Sequence, residues 1–296
     1  KSKNRYPDIF AIDDTIVELN NNNYINANYV YLSLEPLKSI VGKQDNSVIL
    51  TQGPIENENV DTIKDFWLMI YEEKIKVIVM VTRLIEGKEK CADYYGDGDD
   101  TKVGTQLFFG SITIELIKKE VKNGDYIIRT FQINKQTETE TETETVTHIQ
   151  FLKWPDHGVP EIKDFITFYN FFDEAIGLIE KIKPIKTENI SKYNQVLIHC
   201  SAGVGRSGSF AALLKLNDEI KNKLKDDSIK DDSIETLEKY IGKDKKLSID
   251  NLILNMRATR NQHVVQKEVQ YKFIYDFYLY LLKKKIYDNI KEMFPK

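Results

Sequence analysis

A chain of 296 residues has room for one large domain or two small ones, and 41% hydrophobic with 30% charged residues is a globular composition. The net charge of −4 gives no basic footprint for nucleic acid, so any phosphate-binding charge has to be local. Two cysteines, Cys91 and Cys200, exclude a disulfide framework and fit a reducing, cytoplasmic compartment, and no apolar run nears the roughly 20 residues of a membrane span.

In chain order, Lys3-Asn-Arg-Tyr-Pro-Asp-Ile opens as an extended, proline-restricted segment. Val48-Ile-Leu-Thr predicts a short strand, and Asp61 to Glu73 has the apolar spacing of a helix. Val77-Ile-Val-Met-Val is a continuous apolar run, hence a strand buried on both faces. Residues 105–131 alternate in strand fashion and predict an antiparallel meander. A strict Thr-Glu repeat over Thr137 to Thr145 follows. Its period of two puts every Glu on one face of a strand, and it reads equally as a low-complexity hairpin extension. Trp154-Pro-Asp-His-Gly-Val-Pro160 is turn-rich, and Glu161 to Lys183 is helical in period. Residues 217–246 are highly charged, repeat Lys-Asp-Asp-Ser-Ile at 225 and 230, and have the look of an insertion between two helices. Tyr271 to Leu282 predicts a closing helix with its apolar side on the core.

The chemistry concentrates in His199-Cys-Ser-Ala-Gly-Val-Gly-Arg-Ser-Gly208. An apolar strand, Gln195-Val-Leu-Ile, enters it and the helical run Ser209-Phe-Ala-Ala-Leu-Leu leaves it, so unpaired N–H groups and a helix dipole converge on one anion site. Gly203, Gly205 and Gly208 match a dinucleotide fingerprint in form. No second strand with an acidic ribose ligand follows about 20 residues on, however. A nucleoside-triphosphate loop needs Lys before Ser, and here Arg206 precedes Ser207. Cys200 and Arg206 instead bracket five residues, Ser201, Ala202, Gly203, Val204 and Gly205, whose amides can ring one phosphate. Thiols at such turns ionise more readily than free cysteine, and an arginine fork grips two phosphoryl oxygens. A thiolate under a bound phosphate is a phosphatase; a buried structural cysteine at an ordinary turn is the plain alternative. Four histidines without ligand spacing argue against a metal centre, and no cofactor is called for.

The ten-residue string resembles the signature of the tyrosine-specific protein tyrosine phosphatases, and the similarity extends over most of the chain. The resemblance implies a single α/β domain over residues 1–296, with a twisted mixed sheet flanked by helices and the phosphatase loop between a central strand and a helix. It implies phosphotyrosyl proteins as substrates, hydrolysed through phosphocysteine. Cys200 would be the nucleophile, Arg206 and the loop amides the phosphate holders, and Ser207 a helper in thiolate release. Trp154-Pro-Asp matches the family's acid loop. A phenolate leaving group, with a parent pKa of about 10, needs a proton, which Asp156 would supply before accepting one from water. Tyr6 would stack on the substrate ring and Asp8 hold the substrate backbone. Gln266 would align water, Gln270 contact the phosphate, Lys90 line the cleft, Glu86 orient Arg206, and His199 orient the loop. The sequence departs from the family pattern at Ile16, where Arg is usual, and at Lys267, where Thr is usual. A non-catalytic phosphotyrosine-binding module of the same fold is disfavoured because Tyr6, Asp156 and Gln266 are all kept. A dual-specificity phosphatase is disfavoured by chain length and Tyr6. A chain opening at Lys1 in place of Met is expected to be a piece of a longer protein, whose other parts are free to carry a membrane anchor.

Overall fold

The structure, a computed structural model, describes residues 3–37, 47–96, 98–100, 102–155, 158–185, 191–226 and 243–293. Its strands are β1 (Ala27–Tyr31), β2 (Ser47–Thr51), β3 (Glu56–Asn57), β4 (Val60–Asp61), β5 (Val77–Met80), β6 (Ile85–Glu86) and β7 (Lys88–Glu89) in the first third of the chain. β8 (Gln106–Phe109), β9 (Ile112–Lys122), β10 (Tyr126–Gln136), β11 (Thr141–Phe151) and β12 (Val196–His199) follow. The helices are α1 (Ile63–Glu72), α2 (Phe165–Glu180), α3 (Arg206–Asp226), α4 (Lys243–Thr259) and α5 (Glu268–Met293).

Eight strands form one mixed sheet in the order β1-β2-β12-β5-β11-β10-β9-β8. β12 lies between β2 and β5 and runs parallel to both, β5 and β11 are also parallel, and the remaining pairs are antiparallel. The apolar runs of the three central strands explain this position, because alternate residues serve two cores. Val48, Leu50, Val77, Val79, Val196 and Ile198 face α2, α3, α4 and α5, whereas Ile49, Ile78, Met80 and Leu197 face α1 with Phe66, Trp67, Tyr94 and Tyr95. Helices on both faces require strands with no polar side, which is how these strands read.

α2 buries Phe165, Phe168, Phe171, Phe172, Ala175, Ile176 and Ile179, a helical three-four spacing. The aromatic-rich stretch expected to close the fold does so as α5, longer at both ends than its apolar stripe, with Phe273, Phe277 and Tyr278 buried. The meander is present and gains β11 as its fourth strand. The Thr-Glu repeat is divided between a turn, closed by the Thr137 N–H on the Glu140 carbonyl (2.9 Å), and the first residues of β11. Only Glu142 and Glu144 lie in the strand, and these two share a face: Glu142 accepts from the Tyr71 hydroxyl and Glu144 pairs with Lys76, whereas Glu138 and Glu140 fall in the turn. Of the charged stretch expected as an insertion, the part up to Asp226 continues α3, the part from Lys243 begins α4, and 227–242 lies outside the described residues. Ile16 stands in an isolated bridge with Asn28. No helix among the described residues is long and apolar enough to cross a membrane.

Candidate active site

β12 delivers His199 and Cys200 to the C-terminal edge of the central strands, and α3 begins at Arg206, so residues 200–205 form the turn between them. Every carbonyl along the first part of this turn is taken from outside. The His199 ring Nδ1 donates to the Cys200 carbonyl (3.1 Å) and the Gly53 N–H to that of Ser201 (2.9 Å). Arg260 donates to those of Ala202 (3.5 Å) and Gly203 (3.1 Å), and the Val265 N–H to that of Val204 (3.2 Å). In a planar trans peptide the next N–H points the opposite way. The scaffold therefore aims a set of amides inward, and one of them, Gly203 N–H, reaches the Cys200 sulfur at 3.3 Å. Gly203 has φ +72°, and a Cβ there would stand 2.2 Å from the Thr51 carbonyl oxygen, so only glycine lets the loop lie this close to β2.

The thiol is nearly buried at 4% exposure, and the Ser207 hydroxyl lies 3.5 Å from its sulfur. It forms the floor of a cleft of about 250 Å³ together with Ser201, Ala202, Gly205 and Arg206. Asp8 lines the cleft, as does Tyr6, which sits on the Ser201 side with its hydroxyl 3.0 Å from the Ser201 hydroxyl. The Ser201 hydroxyl donates to the Lys90 carbonyl (2.8 Å). Gln266, Lys267 and Gln270 line it on the Gly205 side, where the Gln270 amide fills the space a Gly205 side chain would need. Ile9, Lys90 and Gly158 complete the lining. Val204 is fully buried and faces the core.

Arg206 is gripped by both oxygens of Glu86, at 2.6 and 2.7 Å, and its NH1 also donates to the Thr82 hydroxyl at 3.4 Å. Burial pushes the Glu86 carboxyl up. The hydrogen bonds and charge of Arg206, with the Arg83 N–H and the Thr82 hydroxyl, outweigh that and hold it below the usual carboxylate range. Trp154 packs edge-on against Phe168 and Phe273 and donates its indole N–H to the Gly158 carbonyl (3.0 Å), which ties the two ends of its loop together. Asp156, expected on that loop, lies outside the described residues.

Behind the thiol sits a buried polar chain that has no signal in any one stretch of sequence. Burial brings His199 down to about 4, against a smaller upward pull from the Cys200 carbonyl, so the ring is neutral. A carbonyl only accepts, so Nδ1 carries the proton and Nε2 accepts from the Tyr94 hydroxyl (2.7 Å). Tyr94 in turn accepts from His148 Nε2 (2.8 Å), whose ring burial and Arg129 also keep neutral. Arg260 is fully buried, held by the Asn26 and Asn28 side chains at 2.6 and 3.0 Å. Burial lowers its pKa to about 10, which leaves it charged. Neither Tyr94 nor Arg260 was singled out from the sequence. Cys91, also buried, has its thiol pushed up by that burial. Among the described residues no group of three or more His, Cys, Asp and Glu is arranged to hold a metal.

Residues 1–280 match the family model for protein-tyrosine phosphatase. The chain is 35% identical over 283 residues to tyrosine-protein phosphatase 69D of Drosophila melanogaster, covering 92% of this chain and 16% of that protein. It is 32% identical over 285 residues to tyrosine-protein phosphatase non-receptor type 20 of Rattus norvegicus, covering 96% and 55%. Receptor-type tyrosine-protein phosphatase C of Homo sapiens is 36% identical over 228 residues, covering 72% and 14%. The chain thus spans between about a seventh and just over half the length of these relatives. With a thiol and an arginine fork sharing one cleft, a loop amide on the thiol, and a family match across nearly its whole length, the chain belongs to the protein-tyrosine phosphatase family.

Proposed function

We propose that the chain, acting as one catalytic domain, hydrolyses phosphotyrosine in proteins without a metal. The observation that carries this is the Cys200 sulfur in the cleft with the Gly203 amide on it at 3.3 Å and the Arg206 fork pre-set by Glu86. The Cys200 thiolate attacks phosphorus while the bond to the tyrosyl oxygen breaks, and Asp156 gives that oxygen its proton. Arg206 and the amides of residues 201–205 hold the three equatorial oxygens, whose charge rises in the transition state. Water, aligned by Gln266, then attacks the phosphocysteine and gives a proton to the Asp156 carboxylate. The thiolate leaves, taking a hydrogen bond from Ser207, 3.5 Å from the sulfur.

Selectivity for phosphotyrosine follows from depth. Phosphoserine carries its phosphorus closer to the peptide backbone, so it reaches the recessed sulfur only by driving that backbone into Tyr6. The same ring stacks on the substrate ring, adding about 0.5–1.5 kcal/mol. Both cysteines are free thiols, and a chemistry that needs one of them reduced fits a cytoplasmic setting. The test is steady-state hydrolysis of matched phosphotyrosyl and phosphoseryl peptides by the parent chain and by Cys200→Ser. Strong preference for phosphotyrosine, with turnover abolished and peptide binding kept in the variant, is expected. Turnover by Cys200→Ser within tenfold of the parent rejects the nucleophile, and equal kcat/KM on the two peptides rejects the selectivity.

A further inference from the structure

Lys267 lines the catalytic cleft, although neither the chemistry above nor the fold uses its side chain. Its main chain is fixed at the start of α5: the N–H donates to the Gln270 side-chain oxygen (3.2 Å), and the carbonyl accepts from the N–H groups of Gln270 (3.0 Å) and Tyr271 (3.2 Å). The ammonium is exposed, and among the described residues no carboxylate pairs with it. Lysines nearby are neutralised locally, Lys272 by Asp276 and Lys163 by Glu161 at 3.0 Å. Within the cleft, Arg206 is already matched by Glu86, and Lys90 is buried at 8% exposure. Among the described lining residues, Asp8 is the single carboxylate. A peptide whose phosphotyrosine reaches Cys200 therefore meets an uncommitted cation at Lys267 on the cleft lining. The protein as a whole carries a charge of −4, which repels acidic peptides at long range, so attraction for them has to be local.

We infer that Lys267 is a specificity-determining residue that selects phosphotyrosyl sites carrying a carboxylate side chain close to the phosphotyrosine. The inference rests on the phosphatase reading of the same cleft. An exposed ion pair of this kind gives a preference of about fivefold at low ionic strength, not a requirement. Because the charges meet in water, salt screens the preference.

The experiment measures kcat/KM on phosphotyrosyl peptides identical except for Glu or Gln placed in turn at each of the two positions on either side of the phosphotyrosine. The parent is expected to favour Glu by about fivefold at one or two of these positions, and less as salt is raised. Lys267→Gln brings that ratio to about one, and Lys267→Glu inverts it to favour Gln. A ratio near one in the parent, or the parent ratio kept in both variants, overturns the role of Lys267 while hydrolysis itself leaves the phosphatase reading standing. Failure of the parent to hydrolyse any phosphotyrosyl peptide or small aryl phosphate overturns the phosphatase reading, and the inference with it.

Discussion

The Arg206 guanidinium and the Glu86 carboxylate meet fork to fork across 120 residues of sequence, at 2.6 and 2.7 Å, with only 14% and 7% of the two side chains exposed. This geometry fixes the plane of the Arg206 guanidinium at the cleft. Glu86→Gln keeps the shape but removes the charge and one acceptor oxygen. The variant is expected to lose about 2 kcal/mol of stability at pH 7 and at least tenfold in kcat/KM. Glu86 has a depressed carboxyl pKa, so its contribution is present above the ordinary carboxylate range and is lost as pH falls through the folded value. Urea unfolding of parent and variant at pH 7 and pH 4 should therefore show the gap narrowing in acid. A gap that stays constant rejects the ion pair as its source.

The buried histidines set a second, separate pH dependence. His199 and His148 both have folded pKa values below the ordinary imidazole value. Below about 6.5 the unfolded chain binds protons that the folded chain does not, so stability falls as pH drops from there toward about 4, where His199 itself titrates. Each ring contributes a slope of up to about 1.4 kcal/mol per pH unit in that window and none above it. NMR of the two imidazoles is expected to show neutral rings at pH 5.5. A midpoint near 6.5 for either ring would mean that the polar chain through Tyr94 is not closed.

Asp156→Ala is expected to lower kcat by on the order of 10²–10⁴ and to remove the alkaline limb of the pH–rate profile, since that limb reports the protonated acid. A variant that keeps the limb retires Asp156 as the proton donor.

Arg260→Lys keeps a positive charge but cannot reproduce the fork that serves the Gly203 carbonyl, Asn26 and Asn28 together. A loss of about 1.5–3 kcal/mol is expected, with a fall in kcat larger than the change in KM, because the loop amides lose their aim. Unaltered stability and kcat would show that the loop holds its shape without this support.

The candidate site was legible where one short stretch carries a thiol, an arginine and the backbone between them, as in Cys200 to Arg206, whose two end residues line one cleft. The two-sided burial of Val77 to Met80 was legible for a similar reason, since an unbroken apolar run has no polar side to expose. What escaped detection is held by contacts between distant segments. Arg260 reaches Gly203 across 57 residues and Tyr94 reaches His199 across 105, and nothing local marks either as special. The strict alternation of the Thr-Glu repeat told that Glu142 and Glu144 share a face, not that a turn would take Glu138 and Glu140 out of the strand. It did not tell that Tyr71 and Lys76 would be waiting on that face.

The parallel placement of β12 between β2 and β5 has a consequence in time. β9, β10 and β11 are chain neighbours joined by tight turns, and such antiparallel pairing forms early because little chain must be closed. β12 has no neighbour of that kind. Leu197 must find Ile49 and Ile78, so the central strand docks only after segments far apart in the chain have met. Refolding should therefore recover most β-sheet signal before any hydrolytic activity, with the thiol of Cys200 open to alkylation throughout the interval and shielded only when the last strand closes.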